Sequence, residues 1–334
     1  MRKILQLVTF VLVNLPCYSQ AVRGIVYNEL TKEEIASASV FFNGTTIGTI
    51  TDFSGSFTLQ APEFSKLPLA VSALGFHSIL ISEYSHDEVL KVFLTPRIYE
   101  LSEVVIQAKR TGKQKRARER NLILFREQFI GRTMNAARCK ITNEKDIIFT
   151  SDNEKNVLKA YTTNPLVINN EALGYKIFFY LEKFEFSRED QSMGFFGNYI
   201  FRENITHQSG RKMIENRREL AYSGSRMHFF RSLWDNTLDS AGFTIESTEN
   251  KELTADSLVI RGDHSMKYIK GKNTIKIGYI TKWTGTDMDI LFDSVYFDKS
   301  GYFDPFGIRW SGVMTAQRVA DMLPFDYISK KDKR

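Results

Sequence analysis

Apolar and polar positions alternate with a period of two in Val22–Tyr27, and short apolar runs rich in β-branched and aromatic residues follow at close intervals to residue 107. A two-residue period places successive side chains on opposite faces of a strand. Val22–Tyr27, Ala38–Phe42, Ile47–Thr51, Ser56–Leu59, Leu67–Leu74, Ser78–Ser82, Val89–Leu94 and Leu101–Gln107 read as short strands, with Asn43-Gly44, Gly75 and Thr95-Pro96 as breaks. Closely spaced short strands with turn residues between them are the pattern of a β-sandwich. The stretch Gly44–Phe57 reads as its central hairpin, turning at Asp52–Gly55. Asp offers a carboxylate to backbone N–H groups in such a turn, and Gly55 suits a positive φ. Ile47, Ile50 and Phe57 are the expected core residues of this stretch.

Beyond residue 107 the pattern changes. The helical period places Leu122, Phe125, Phe129 and Ile130 on one face of a helix running from Lys115 to Ile130. Tyr175–Phe186 alternates at length and is rich in aromatics. Further strands are expected at Ile147–Thr150, Val157–Thr162, Leu166–Ile168, Asn198–Phe201, Phe243–Glu246, Ser257–Ile260, Thr274–Ile280, Asp289–Phe292 and Ser294–Phe297. Helices are expected at Lys212–Ala221, Ser225–Ser240 and Thr315–Met322, the first two broken at Ser223-Gly224. The fold class expected is mainly β, an N-terminal sandwich followed by an α+β part. The helices that interrupt the strand series weigh against a small barrel.

Composition adds three constraints. The 334 residues are enough for two cores, and 26 Phe with 14 Tyr favour strands. Arg2 and Lys3, the apolar run Ile4–Leu15, and small residues before Gln20 read as an export signal over residues 1–19, too short to span a bilayer. Its removal leaves one cysteine, Cys139, and no intramolecular disulfide. The formal charge of +6 is concentrated: Lys109–Arg120 holds seven basic residues against one Glu, and the rest of the mature chain is slightly acidic. That distribution excludes a general nucleic-acid-binding surface.

The resemblance rests on particular residues. Gly24-x-Val26, Ala38-x-Val40, Gly44-Thr45-Thr46-x-Gly48-Thr49-x-Thr51-Asp52, Gly55-x-Phe57, Val71-Ser72-x-x-Gly75-Phe76 and Leu101-x-Glu103-Val104-Val105 together resemble the carboxypeptidase-regulatory-like domain. This is a small transthyretin-like sandwich, found at the N-terminus of exported and outer-membrane proteins of Bacteroidota, including SusC-like TonB-dependent transporters. The resemblance implies an envelope location and a docking role, and no chemistry. Too few residues follow for a plug and a large barrel. The expected organisation is a signal over 1–19, a sandwich over 20–107, a basic linker over 108–114 and an α+β domain over 115–330.

No catalytic, cofactor-binding or metal-binding set emerges. None of His77, His86, His207, His228 and His264 has a Glu at the spacing of a zinc peptidase. There is no nucleophile elbow, phosphate-binding loop or Cys-x-x-Cys. Asp287, Asp289 and Asp293 are separated by apolar residues, and Asp298–Gly301 and Asp304–Gly307 read as turns. Two candidate sites remain. Lys109, Arg110, Lys113, Lys115 and Arg116 could hold an anionic envelope component such as lipid or lipopolysaccharide phosphate, or serve as a solvated linker. Arg218, Tyr222, Ser225 and His228 fall near one stripe if helix geometry persists through Gly224, lining a polar pocket or forming a buried structural network. The function expected is a non-catalytic binding or scaffold role at the periplasmic face of the outer membrane, with a protein partner or anionic lipid. The alternative is a peptide or glycan hydrolase with its site in the second domain.

Overall fold

The computed structural model describes residues 21–62, 67–97, 111–152, 155–205, 208–248, 251–262, 266–330 and 332. The export segment, the strand expected at Leu101–Gln107, and Lys109 and Arg110 lie outside the described residues. The chain is mainly β, with a mixed second part.

The N-terminal sandwich has seven described strands: β1 (Ala21–Asn28), β2 (Ser39–Phe42), β3 (Gly48–Ile50), β4 (Ser56–Gln60), β5 (Leu69–Ser72), β6 (Ile79–Ile81) and β7 (Val89–Leu94). One sheet runs β4-β1-β7, with β7 parallel to β1; the other runs β3-β2-β5-β6, all antiparallel. Alternation sends Val22 and Val26, Val40 and Phe42, Phe57 and Leu59, and Val92 and Leu94 into the core between them. The stretch Gly44–Phe57 is not a hairpin. β3 pairs with β2 and β4 with β1, so the Asp52 turn carries the chain from one sheet to the other. Its local chemistry is as expected: Asp52 Oδ1 accepts from the Ser54 and Ser56 N–H groups, each at 2.9 Å, and Gly55 has φ +68°. Phe57 is buried and Ile47 packs at the core edge, but Ile50 is 59% exposed, because β3 is a short edge strand with one half-buried position.

The middle unit opens with α1 (Gly112–Phe125), which begins three residues earlier than expected because Thr111 and Gln114 form a capping box. A π turn, Arg126–Ile130, extends it. Leu122, Phe125, Phe129 and Ile130 are all buried, as their spacing predicts. They cover one face of a sheet built from β8 (Cys139–Ile141), β9 (Ile147–Asp152), β10 (Val157–Thr162), β11 (Leu166–Asn170), β12 (Tyr175–Ser187) and β13 (Met193–Glu203). β11 and β10 pair with different halves of one edge of β12, and β13 takes the other edge. A bulge between Leu181 and Lys183 shifts the parity, so that Tyr175, Ile177, Phe179 and Leu181, then Phe184 and Phe186, face the core. The sheet is open. The unit ends on α2 (Arg211–Tyr222).

The third unit starts with α3 (Arg226–Trp234) and α4 (Leu238–Ala241), followed by β14 (Phe243–Ser247), α5 (Ala255–Leu258), β15 (Val259–Arg261), β16 (Lys267–Lys270), β17 (Thr274–Tyr279), β18 (Thr281–Ile290), β19 (Ser294–Phe297) and β20 (Ile308–Gly312). Sheets β14-β17-β18-β20 and β15-β16-β19 enclose a separate core around Phe229, Phe230, Ile277, Met288 and Phe297. Three expectations fail here. Ser225–Ser240 is not one helix but α3 and α4, divided where Asn236 takes φ +57°. Ser257–Ile260 splits into α5, capped by Thr254 and Ser257, and β15. Thr315–Met322 is two short 3-10 turns, because Gln317 is extended and gives its carbonyl to Arg226 at 2.7 Å rather than to a helical N–H.

The sandwich meets both the middle unit and the C-terminal segment at one turn. The Gly44 N–H donates to Tyr199 O at 2.7 Å and the Phe201 N–H to Thr45 O at 2.8 Å, so the Asn43–Thr46 turn pairs with the free edge of β13. The Phe325 N–H donates to Gly44 O at 2.8 Å, and Thr46 bonds to Asp326. Beside the turn, Phe41 and Ala70 pack on Ile200, Phe178 and Tyr180, so the second sandwich sheet is buried on both faces.

Candidate binding cleft

The four residues of the expected polar stripe are buried but do not form one pocket. Helix geometry breaks at Gly224, whose φ is +74°. Arg218 turns towards the sheet, donating to Leu173 O at 2.8 Å and to Glu203 at 3.1 Å, with its guanidinium over Tyr175. Tyr222 donates to Asp332 at 2.5 Å and lies against His228. Ser225 caps α3 by accepting the His228 main-chain N–H, while His228 Nδ1 accepts the Gly224 N–H at 3.1 Å. The Ser–His contact is therefore a helix cap, not a hydroxyl–imidazole pair. These bonds tie helices to the sheets and to the C-terminal segment.

The basic run is also divided. Lys113, Lys115 and Arg116 are exposed on the first turns of α1, with no carboxylate partner among the described residues. Arg118 instead donates to Ile147 O and Glu144 O, fastening α1 to the sheet. Asp289 accepts from Thr274 and Arg309, and Asp293 pairs with Lys272. Among the described residues no three His, Cys, Asp or Glu side chains converge as a metal site would require. Cys139 is buried in β8, and burial pushes its thiol up to about 12, leaving no thiolate for nucleophilic attack near neutral pH.

A cleft of about 680 Å³ lies between the middle and third units. Its rim is apolar: Met134 is 92% exposed, Leu220 and Ile280 75% each, and Val313 54%. Its base is polar. Asp321 accepts from Thr133 at 2.9 Å and Asn135 at 2.8 Å, and burial raises its carboxyl above the usual range while those bonds oppose the shift. Asp321 is the one carboxylate among the lining residues, so the cleft lacks the pair that glycoside hydrolysis needs. Ile280 has φ +57°, costly for a β-branched side chain, and its N–H donates to Gly242 O at 2.7 Å. A strained residue is thus held with its apolar side chain in water. Sequence reading passes over this site because its residues come from separate elements. The available signal is Met213, Arg217 and Leu220 on one face of α2, which gives that face two exposed apolar positions.

A second recess, about 560 Å³, lies beside the Thr46 turn and holds two carboxylates, Glu203 and Asp326. Both have structural partners: Glu203 pairs with Arg218 and Arg211, and Asp326 bonds to Thr46.

Asp298 gives a pH prediction. It is buried where the third unit meets the sandwich core, beside Tyr302. Burial raises its carboxyl to about 6, against bonds from Ser300 and Tyr302 and the charge of Arg231. A folded value above the unfolded one means that the folded state holds a proton the unfolded state releases. This contribution to stability is complete below about pH 4 and is lost as pH rises through 6. Asp298→Asn is expected to remove about 1 kcal/mol of the stability difference between pH 5 and pH 7.5, measured by urea unfolding at both pH values.

Fold and cleft together define a mainly β protein in which a small sandwich is docked against two further cores. The sandwich matches a known family: residues 22–106 fit the model of the CarboxypepD_reg-like domain, a quarter of the chain. A search of curated proteins finds no match.

Proposed function

We propose that this is an exported, non-catalytic binding protein of the bacterial envelope, whose cleft takes an apolar segment of a partner protein at the periplasmic face of the outer membrane. The observation that carries this reading is the rim of Met134, Leu220, Ile280 and Val313, large apolar side chains left in water around one concavity. Exposed apolar surface gathered at a concavity marks an interaction site more often than apolar residues scattered singly. The docked sandwich and the N-terminal export pattern support the envelope location. Exposed Lys113, Lys115 and Arg116 offer anionic lipid headgroups a secondary contact.

The test is photocrosslinking in cells from position 220, with position 140 on exposed Lys140 as control. A discrete adduct from 220 is expected, reduced at least tenfold by Ile280→Asp. Equal labelling from both positions, or an adduct indifferent to Ile280→Asp, would remove the cleft from consideration.

A further inference from the structure

The apolar cleft carries one charge that the chain itself leaves unanswered. Among its lining residues Arg217 is the one cation and Asp321 the one carboxylate. Asp321 is occupied at the base by Thr133 and Asn135. Arg217 is half-buried on α2 and makes no hydrogen bond or ion pair among the described residues. Its own helix supplies no partner: the positions three and four residues to either side are Met213, Ile214, Leu220 and Ala221. Glu215, two residues away, leaves α2 from another face. Glu219 is engaged by Tyr327, Ser329 and Lys330, and Glu203 by Arg218 and Arg211. Arg188 also lacks a carboxylate, but it donates to Asn121, whereas Arg217 lines a cavity.

The position of this charge constrains what the cleft can take. Met213, Arg217 and Leu220 lie at i, i+4 and i+7 on one stripe of α2, and Met213 and Leu220 are exposed. The stripe thus runs apolar, cationic, apolar along about 10 Å of helix. The rim continues it through Met134, Ile280 and Val313. A purely apolar occupant would strip water from the guanidinium and leave it unpaired, which is costly. An acidic side chain set among apolar ones replaces that water with a charge-assisted, bidentate contact. A chain-terminal carboxylate driven to the base would instead meet Asp321 and be repelled.

We propose, building on the apolar-segment reading of the cleft, that the partner segment it receives is acidic as well as apolar. It carries an Asp or Glu side chain flanked by large apolar residues, and Arg217 is the residue that selects it. Apolar burial supplies affinity without direction. The Arg217–carboxylate pair decides which segments are accepted and in which register.

The experiment is selection of a phage-displayed random dodecapeptide library on the immobilised full chain, read as the charge of the recovered peptides. Cleft binders are those lost on the double variant Leu220→Ser, Ile280→Asn, which removes apolar rim without changing charge. They are expected to be enriched in Asp and Glu beside large apolar residues. Arg217→Glu is expected to weaken them at least tenfold, the scale of a like-charge contact, and to enrich Lys and Arg in their place. Arg217→Lys is expected to keep the acidic preference at lower affinity. Arg217 has no partner to lose, so thermal unfolding of its variants should match that of the unaltered chain. An inverted charge preference is a result that a merely structural role would not produce. Cleft binders without acidic enrichment, or acidic binders indifferent to Arg217→Glu, overturn the selection by charge and leave the apolar cleft standing. If no peptide is lost on the double variant, the cleft reading falls and the charge selection with it.

Discussion

Arg231→Ala is expected to release the C-terminal segment and to cost about 3–5 kcal/mol, the range for removing one partner of a buried ion pair. Arg231 donates to Ser300 O at 2.9 Å, Tyr327 O at 2.9 Å, Phe325 O at 3.0 Å and Asp332 at 2.7 Å, and its guanidinium lies over Tyr222. One planar fork thus satisfies three carbonyls and a carboxylate. Arg231→Lys keeps the charge but not the fork, and most of the loss is expected to remain. Hydrogen exchange reads the effect directly: amides of residues 325–330 should exchange far faster in Arg231→Ala, while those of the sandwich core strands remain protected. Unchanged protection at 325–330 would mean that Glu219, which accepts from Tyr327, Ser329 and Lys330, holds the segment alone.

What was legible in the sequence depended on the range of the interaction. Short strands, the Asp52 turn and the α1 core face follow from periods of a few residues, and Leu122, Phe125, Phe129 and Ile130 are buried as their spacing predicts. The pairing of β3 and β4 was not legible, because two strands flanking a tight turn read as a hairpin whether or not they share a sheet. The bulge at Leu181/Lys183 was hidden for a similar reason: one extra residue reverses the parity without altering the composition. The cleft was least legible. Met134, Leu220, Ile280 and Val313 come from separate elements, and each alone resembles an ordinary surface residue. The polar stripe in α2 and α3 failed at Gly224, whose positive φ ends the helical register that would have aligned Arg218 with His228.

The Gly44-Thr45-Thr46 segment illustrates the same point. It resembles a feature of a sandwich family, and within the sandwich it is only a turn after β2. In the whole protein it is the contact at which the sandwich, the middle unit and the C-terminal segment meet. Its backbone bonds reach β13 on one side and Phe325 on the other. The segment that looked like local turn chemistry therefore carries long-range architecture.

Gly44→Ala separates these two roles. Gly44 has φ +75°, and a Cβ there would lie 2.7 Å from Phe325 ring carbons and 3.2 Å from the Tyr199 ring. The left-handed conformation alone costs a non-glycine residue about 1–2 kcal/mol. The clash adds to this, and moving the turn to relieve it stretches the bonds to Tyr199 O and Phe325 N. A total of about 2–4 kcal/mol is expected, within the range of damaging substitutions. Gly75→Ala is the matched control. Its φ is +85°, yet nothing lies within 4 Å of the added Cβ. It should cost only the backbone term, about 1–2 kcal/mol. The location of the damage is the sharper test. In Gly44→Ala, exchange should accelerate at Tyr199, Phe201 and Phe325, whose amides face the turn, while β1 and β4 stay protected. Equal losses in the two variants, or exchange spread evenly through the sandwich, would mean that Gly44 serves its own turn rather than the junction.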